Sequence, residues 1–155
     1  MNKRTIIFIG IAIFGGIFLY SSLKSVEPQV IENAPQWRTL EAGQQEAIES
    51  NKLIMLDVYE VGCKYCRAME RDVYPDTTVR VVMDQGYIPV KLDGNSEELI
   101  TFNGNEMQAK EFAQNKGAYA FPTVIILTAD GNVVKKRTGF MNVDELRQFL
   151  YNQGS

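Results

Sequence analysis

The sequence contains no histidine. That removes imidazole acid–base catalysis, histidine metal ligands and any Ser-His-Asp triad in one step. Cysteine is nearly as scarce: there are two, Cys63 and Cys66, three positions apart. Two thiols without histidine fall short of the four ligands of a structural zinc site, so zinc would need a second chain. They also leave no framework of several structural disulfides. Clustered positive charge is missing as well. The net charge is −3, and three of the 16 basic residues, Lys3, Arg4 and Lys24, precede residue 25, which leaves the rest of the chain at −6. Phosphate backbones are gripped by clustered lysine and arginine, so nucleic acid is not an expected partner. What is there is ordinary globular composition, 45% apolar and 23% charged, in 155 residues. That is enough for one domain and its core.

The first stretch departs from that composition. A basic start, Lys3 and Arg4, precedes an uncharged apolar run over residues 5–23. Nineteen such residues just reach the length of a membrane-crossing helix. The same layout also suits a secretory signal peptide. Tyr20 and Leu23 interrupt the small residues Ser21, Ser22 and Ser25 that a cleavage site needs, so the reading is an uncleaved inner-membrane anchor. A cleaved signal with a soluble periplasmic product is the alternative, and a buried core helix is a third. Lys3 and Arg4 would keep the N-terminus cytoplasmic and put the remainder on the extracytoplasmic side. Residues 24–36, with Pro28 and Pro35 and no apolar period, read as a linker. The organisation is then an anchor or signal over 1–23, a linker over 24–36 and one domain over 37–155.

Within that domain, residues 39–51 read as a helix capped by Thr39, with Leu40, Ala42, Ala47 and Ile48 toward one side. The run LIMLDVY at 53–59 has strand length. Gly62 breaks it, and residues 63–73 read as a helix with Met69 and Val73 inward. Asp76 opens another helix over 77–85. Residues 87–92 form a strand, with Pro89 placing it at a sheet edge. Asn103-Gly104 suggests a small hairpin inside 94–107, a region whose simplest reading is a solvated insertion. A helix over 108–115 ends at Lys116-Gly117. Strands over 123–128 and 133–138 fold back at Asp130-Gly131, and Asn142 or Asp144 opens a last helix through Leu146, Phe149 and Leu150. Helices alternating with strands predict parallel pairing, and the second hairpin adds an antiparallel strand. The fold class is α/β, a mixed sheet with helices on both faces.

The chemistry lies in Cys63-Lys64-Tyr65-Cys66, between a buried strand and a helix. A helix start offers unpaired N–H groups and a positive dipole end, which favour thiolate over thiol. Cys63 at the start feels this most; Cys66, one turn in, is more buried. Lys64 adds a cation beside the first sulfur. Cys63 is therefore the candidate nucleophile and Cys66 the resolving thiol of a redox-active disulfide. A purely structural disulfide is the rival, although so small a loop would stabilise little.

These residues resemble a known family. The stretches VGCKYCRAMERDVYPDTTV (61–79), FPT (121–123), LTADGNVV (127–134) and TGFMNVDEL (138–146) are similar to thioredoxin-fold proteins. The likeness is strongest to periplasmic thioredoxin-like reductases such as the C-terminal domain of DsbD and the SoxW-type thioredoxins. The resemblance covers about residues 36–150. It implies a thioredoxin fold and thiol:disulfide exchange without a cofactor.

The resemblance also carries roles. Asp57, six before Cys63, matches a buried carboxylate that accepts the Cys66 proton; a water-exposed strand-end Asp is the plainer reading. Lys91 matches a lysine near that carboxylate, against the plainer reading of a surface lysine. Pro122 matches the cis-proline facing the dithiol, with Phe121 presenting backbone to a substrate strand. Departures are visible too. Phe121 stands where Thr or an aliphatic residue is commoner. Lys64-Tyr65 replaces the usual intervening pairs, and Gly62 replaces the tryptophan before the first cysteine. Trp37 is expected to pack the linker onto the domain. Tyr59, Tyr65 and Phe121 offer an apolar rim for partner docking, against the plainer reading of each as simple core or surface packing, and Lys64 and Tyr65 are candidates to touch substrate. The expected activity is reduction of disulfides in exported proteins, with a membrane thiol reductase as electron donor. A disulfide oxidase or isomerase, or a non-catalytic binding module, is the alternative.

Overall fold

The computed structural model describes residues 13–16 and 31–152. The chain divides into two units, Met1–Val30 and Ile31–Ser155. In the first unit residues 13–16 are helical. The remainder of the expected anchor over 1–23, and residues 24–30 of the expected linker, lie outside the described residues. Among the described residues no helix is long and apolar enough to cross a membrane.

The second unit carries five helices and six strands among its described residues. Helix α1 is Leu40–Ser50 and strand β1 is Leu53–Tyr59. Helices α2 (Lys64–Asp72) and α3 (Thr77–Gly86) follow, then strand β2 (Tyr87–Asp93). Strands β3 (Leu99–Phe102) and β4 (Asn105–Gln108) precede helix α4 (Ala109–Asn115). Strands β5 (Thr123–Leu127) and β6 (Val133–Thr138) and helix α5 (Val143–Tyr151) complete it.

The ends of these helices are written in the sequence. Thr39 caps α1, its hydroxyl accepting from the Ala42 N–H at 3.3 Å. Asp76 caps α3 through the N–H groups of Thr78 and Val79. Asn142 and Glu145 form a reciprocal capping box on α5, which satisfies two otherwise orphaned donors. The inward side of α1 differs from expectation. Leu40, Gly43 and Ala47 are buried, while Ala42 and Ile48 face out. The reason is close approach: a Cβ on Gly43 would fall inside the Val90 side chain, so the helix rests its glycine on β2.

The main sheet has the order β2-β1-β5-β6. The β1–β2 pair is parallel, and β1–β5 and β5–β6 are antiparallel. Pro89 sits on the outer strand β2, where its missing N–H breaks no ladder bond. Arg38 bridges to that free edge: its N–H donates to the Pro89 carbonyl at 3.0 Å, and the Lys91 N–H donates to the Arg38 carbonyl at 3.2 Å.

Strand alternation sorts the core into two layers. Ile54, Leu56 and Val58 face a cluster with Leu40, Ala47, Phe112 and Ala113. Met55 faces the opposite cluster with Met69, Tyr74, Met83, Met141 and Leu146. Asp57 shares the parity of Met55, so its side chain lies on the α2 face.

The β3–β4 hairpin is a separate two-stranded sheet, and it is more than a solvated insertion. Its turn residues Asn103 and Gly104 both have positive φ, which suits a tight two-residue hairpin. Phe102 is buried, its ring centroid 5.0 Å from that of Phe112. Such a pair adds about 0.5–1.5 kcal/mol beyond its buried area. Gln44 and Asn103 exchange hydrogen bonds of 2.5 and 3.1 Å, and Asn103 donates to the Asp130 carbonyl at 2.9 Å. The sequence shows an NG turn but not that Phe102 joins the core.

Part of the segment read as linker is also tied down. Asn33 donates to the Pro75 carbonyl at 2.6 Å and accepts at its own carbonyl from Arg80 at 2.9 Å.

Candidate active site

Strand β1 delivers the chain to the dithiol. After Tyr59 a turn closes with the Cys63 N–H donating to the Glu60 carbonyl at 3.2 Å. Gly62 occupies φ +90° there, a conformation that glycine adopts without strain. Cys63 is the N-cap of α2, its Sγ accepting from the Cys66 N–H at 3.1 Å. That N–H is one of the orphan donors of the first turn, and it is aimed at sulfur. The two cysteines form a disulfide, with Cα atoms 5.3 Å apart. Cys63 is half-buried and Cys66 is 7% exposed. The outer sulfur is thus the one a partner can reach first.

Asp57 is 2% exposed. Burial pushes its carboxyl from 3.8 up to about 6, opposed by the Tyr74 hydroxyl and the Lys91 charge and reinforced by Glu70. The Tyr74 hydroxyl faces Asp57 closely enough to lower its proton affinity. Even so, neither that hydroxyl nor Asp57 Oδ1 has a hydrogen-bond partner at bonding distance. Burial also drives the Tyr74 hydroxyl well above its usual range. The water-exposed reading of Asp57 is therefore overturned: a seven-residue strand buried through its middle carries the carboxyl inside.

Lys91 stands opposite Asp57 in the β1–β2 register. Its ammonium is not bonded to the carboxyl. It pairs with Glu70 Oε1 at 2.6 Å and lies 5.3 Å from the Trp37 ring centroid and 4.9 Å from that of Tyr59. Both distances suit cation–π attraction. At 20% exposure the side chain is no free surface lysine. Trp37 packs on the folded unit, edge-on to Tyr74 at 5.0 Å between centroids.

The Phe121–Pro122 peptide is cis. Val58 pairs with Thr123, so the proline enters β5 at the same sheet end where β1 hands over to the dithiol turn. Phe121 folds inward. Its ring occupies the space beside Gly94 and Val58, where a Cβ on Gly94 would collide with it.

The expected apolar rim is rearranged as a result. Tyr59 and Phe121 are half-buried. Tyr65 is 60% exposed, and its ring sits 6.2 Å from the exposed Phe140. Lys64 is exposed beside Cys63. Among the described residues, no group of three or more acidic or cysteine side chains could hold a metal ion.

Sequence reasoning missed Glu70, Tyr74 and Phe140. Glu70 had a signal: it lies four after Cys66, hence one turn along the same helix face. Tyr74 lies four further, at the end of that face. Phe140 had none, because only the fold brings the β6–α5 connection to Tyr65.

A C-x-x-C disulfide at a helix start, reached from a strand that buries a carboxyl of raised proton affinity, in a mixed sheet covered by helices, defines a thiol:disulfide oxidoreductase. The thioredoxin-like domain family matches residues 40–154, and the chain belongs to that family. No curated protein matches the chain. Solved structures do.

A solution structure from Bacteroides thetaiotaomicron, provisionally described as a disulphide-isomerase, is 20% identical with a TM-score of 0.61. The match covers 81% of this chain and 96% of that one. The oxidised C-terminal domain of DsbD from Neisseria meningitidis is 19% identical with a TM-score of 0.57, covering 74% and 93%. A thioredoxin from Thermus thermophilus is 20% identical with a TM-score of 0.59, covering 78% and 91%. At these identities the likeness establishes the thioredoxin fold.

Proposed function

We propose that the protein reduces disulfides of exported proteins from a position on the extracytoplasmic side of the inner membrane. Residues 1–23 anchor it there, residues 24–36 lead away from the bilayer, and residues 37–155 form the catalytic domain. The observation that carries this reading is the Cys63–Cys66 disulfide capping α2 with the buried Asp57 behind it.

The exchange runs in two steps. The Cys63 thiolate attacks one sulfur of a substrate disulfide; that S–S bond breaks and one substrate thiolate leaves. Cys66 then attacks the Cys63 sulfur, giving its proton to Asp57, and the second substrate thiolate leaves. Two electrons pass to the substrate, and the domain is left oxidised. A membrane thiol reductase of the DsbD or CcdA kind restores the dithiol.

Pro122 and the Phe121 backbone receive the substrate strand beside the disulfide. Lys64 and Tyr65 flank it, and Lys91 tunes the carboxyl. The reducing direction is supported by the absent histidine, which strong oxidants of this fold carry between their cysteines, and by the likeness to the DsbD domain. The Bacteroides neighbour supports isomerisation as the second reading.

Equilibration of the domain with glutathione or dithiothreitol buffers decides between them. A potential below about −200 mV supports the reductase, one near about −180 mV suits an isomerase, and one above about −150 mV makes the protein a disulfide donor. Membrane fractionation with protease added outside the membrane tests the topology: the domain is digested in spheroplasts if it lies outside.

A further inference from the structure

The aromatic ring over this site comes from before the first helix. Trp37 precedes Arg38, whose backbone bridges to Pro89 and Lys91 on the free edge of β2. That bridge fixes the indole in place. Its edge contact with Tyr74 and its face contact with Lys91 are made by one ring.

Those are two of the three groups that act on the Asp57 carboxyl. Tyr74 comes from the α2–α3 connection and Lys91 from β2; the third, Glu70, comes from α2. From β5 the ladder partner of Asp57 is the apolar Val124. The Lys91 ammonium is drawn to Glu70 and to the Trp37 and Tyr59 rings and makes no bond to Asp57. Without the indole one of the three groups that draw the ammonium away is lost, and Lys91, left with Glu70 and Tyr59, is freer to swing toward the carboxylate and hold it ionised. A gap in place of the indole would also let water reach Tyr74 and Asp57, with the same effect.

We propose that Trp37 is a positioning residue for dithiol exchange: it keeps Lys91 off Asp57 and closes water from Tyr74, so that Asp57 stays able to take the proton Cys66 must lose. This rests on the reading of Asp57 as that acceptor. Gly62 stands just before Cys63, and the chain's single tryptophan lies 26 positions upstream of that cysteine, with its ring against Tyr74 and Lys91.

The test uses the full reduced chain in nonionic detergent, mixed with Ellman's reagent across a pH series. In a first, reagent-dependent phase the Cys63 thiolate attacks the reagent's disulfide, whose S–S bond breaks: one coloured thionitrobenzoate leaves and the other stays joined to Cys63. A second, reagent-independent phase is the attack of Cys66 on the Cys63 sulfur. In it the Cys63–thionitrobenzoate bond breaks, the coloured thiolate leaves, and the proton goes to Asp57.

Trp37→Leu is expected to move the midpoint of the second-phase rate profile down by about one pH unit. Trp37→Phe, which keeps a ring face, is expected to restore most of it. In a Lys91→Met background the Trp37→Leu shift is expected to fall by at least half. An unmoved midpoint in folded Trp37→Leu, or an equal shift in Trp37→Phe, overturns the inference. If Trp37→Leu does not fold, Trp37→Met carries the same test. Asp57→Asn separates the two readings. A pH limb that survives Asp57→Asn overturns the acceptor role itself. A limb lost in Asp57→Asn but unmoved by Trp37→Leu overturns only the part given to Trp37.

Discussion

Asp57 and Lys91 stand opposite each other across the β1–β2 ladder, yet the lysine's ammonium is bonded to Glu70 on α2, 2.6 Å away. The carboxyl is left buried beside a tyrosine hydroxyl that makes no hydrogen bond to it. A charge in that position is costly, and the cost appears in both stability and chemistry.

For stability the sign follows from the raised value. The folded carboxyl titrates at about 6 against 3.8 in the ordinary state. The native state therefore binds the proton more tightly. The stabilisation this brings is fully present below pH 3.8 and is lost as pH rises through about 6. Two pH units correspond to about 3 kcal/mol. Asp57→Asn is expected to be more stable than the parent at pH 8 by about 2–3 kcal/mol, with the difference gone near pH 4. Unfolding of the oxidised protein at the two pH values measures it. An equal difference at both would mean that Asp57 is not a buried titrating group.

Cys66→Ser is expected to collect mixed disulfides on Cys63, visible as adducts that disappear with reductant. Cys63→Ser is expected to collect none, because the half-buried sulfur has been removed and the buried one cannot be reached. Both variants should lose at least about a hundredfold in turnover of a protein disulfide. Adducts of equal yield on both variants would reverse the assigned order of attack.

Gly43→Val inserts a branched side chain where α1 rests on Val90. Overpacking of this kind costs about 1–3 kcal/mol. The denaturation midpoint should fall, while reduction of a small disulfide by the folded fraction stays at the parent rate. A parent-like midpoint would mean that α1 can lift from β2 without loss.

Gly94→Ala pushes a methyl into the seat of the Phe121 ring. The ring must move, and the strip leading to Pro122 moves with it. KM for a protein disulfide is expected to rise several-fold while kcat on a small aromatic disulfide is unchanged. Equal effects on both substrates would remove Phe121 from partner docking.

The parts of this fold that sequence made legible are those dictated locally. Thr39, Asp76 and Asn142 announce helix starts because short polar side chains compete for free N–H groups at those points. The strand at 53–59 is read correctly to the residue, since a continuous apolar run of that length has few other uses. The dithiol is equally plain, because its chemistry needs only two residues and a helix start. What was hidden depends on contacts between distant segments. The inward turn of Phe121 is set by the absence of a side chain at Gly94. The partner of Lys91 is set by the helix turn that carries Glu70. The pairing of Tyr65 with Phe140 is set by where β6 ends. Ala42 and Ile48 were misread because a glycine, which carries no hydrophobic signal, marks the true inner side of α1.

The single tryptophan of the chain is the ring lying on Tyr74 and Lys91. Intrinsic emission excited at the indole band therefore comes from one place, a ring packed on the core layer that holds Tyr74 and Met69. The molecule carries its own optical gauge. Titrations, partner encounters and turnover can each be followed at this site without a label, and a change in colour or intensity reports the surroundings of that ring and of no other.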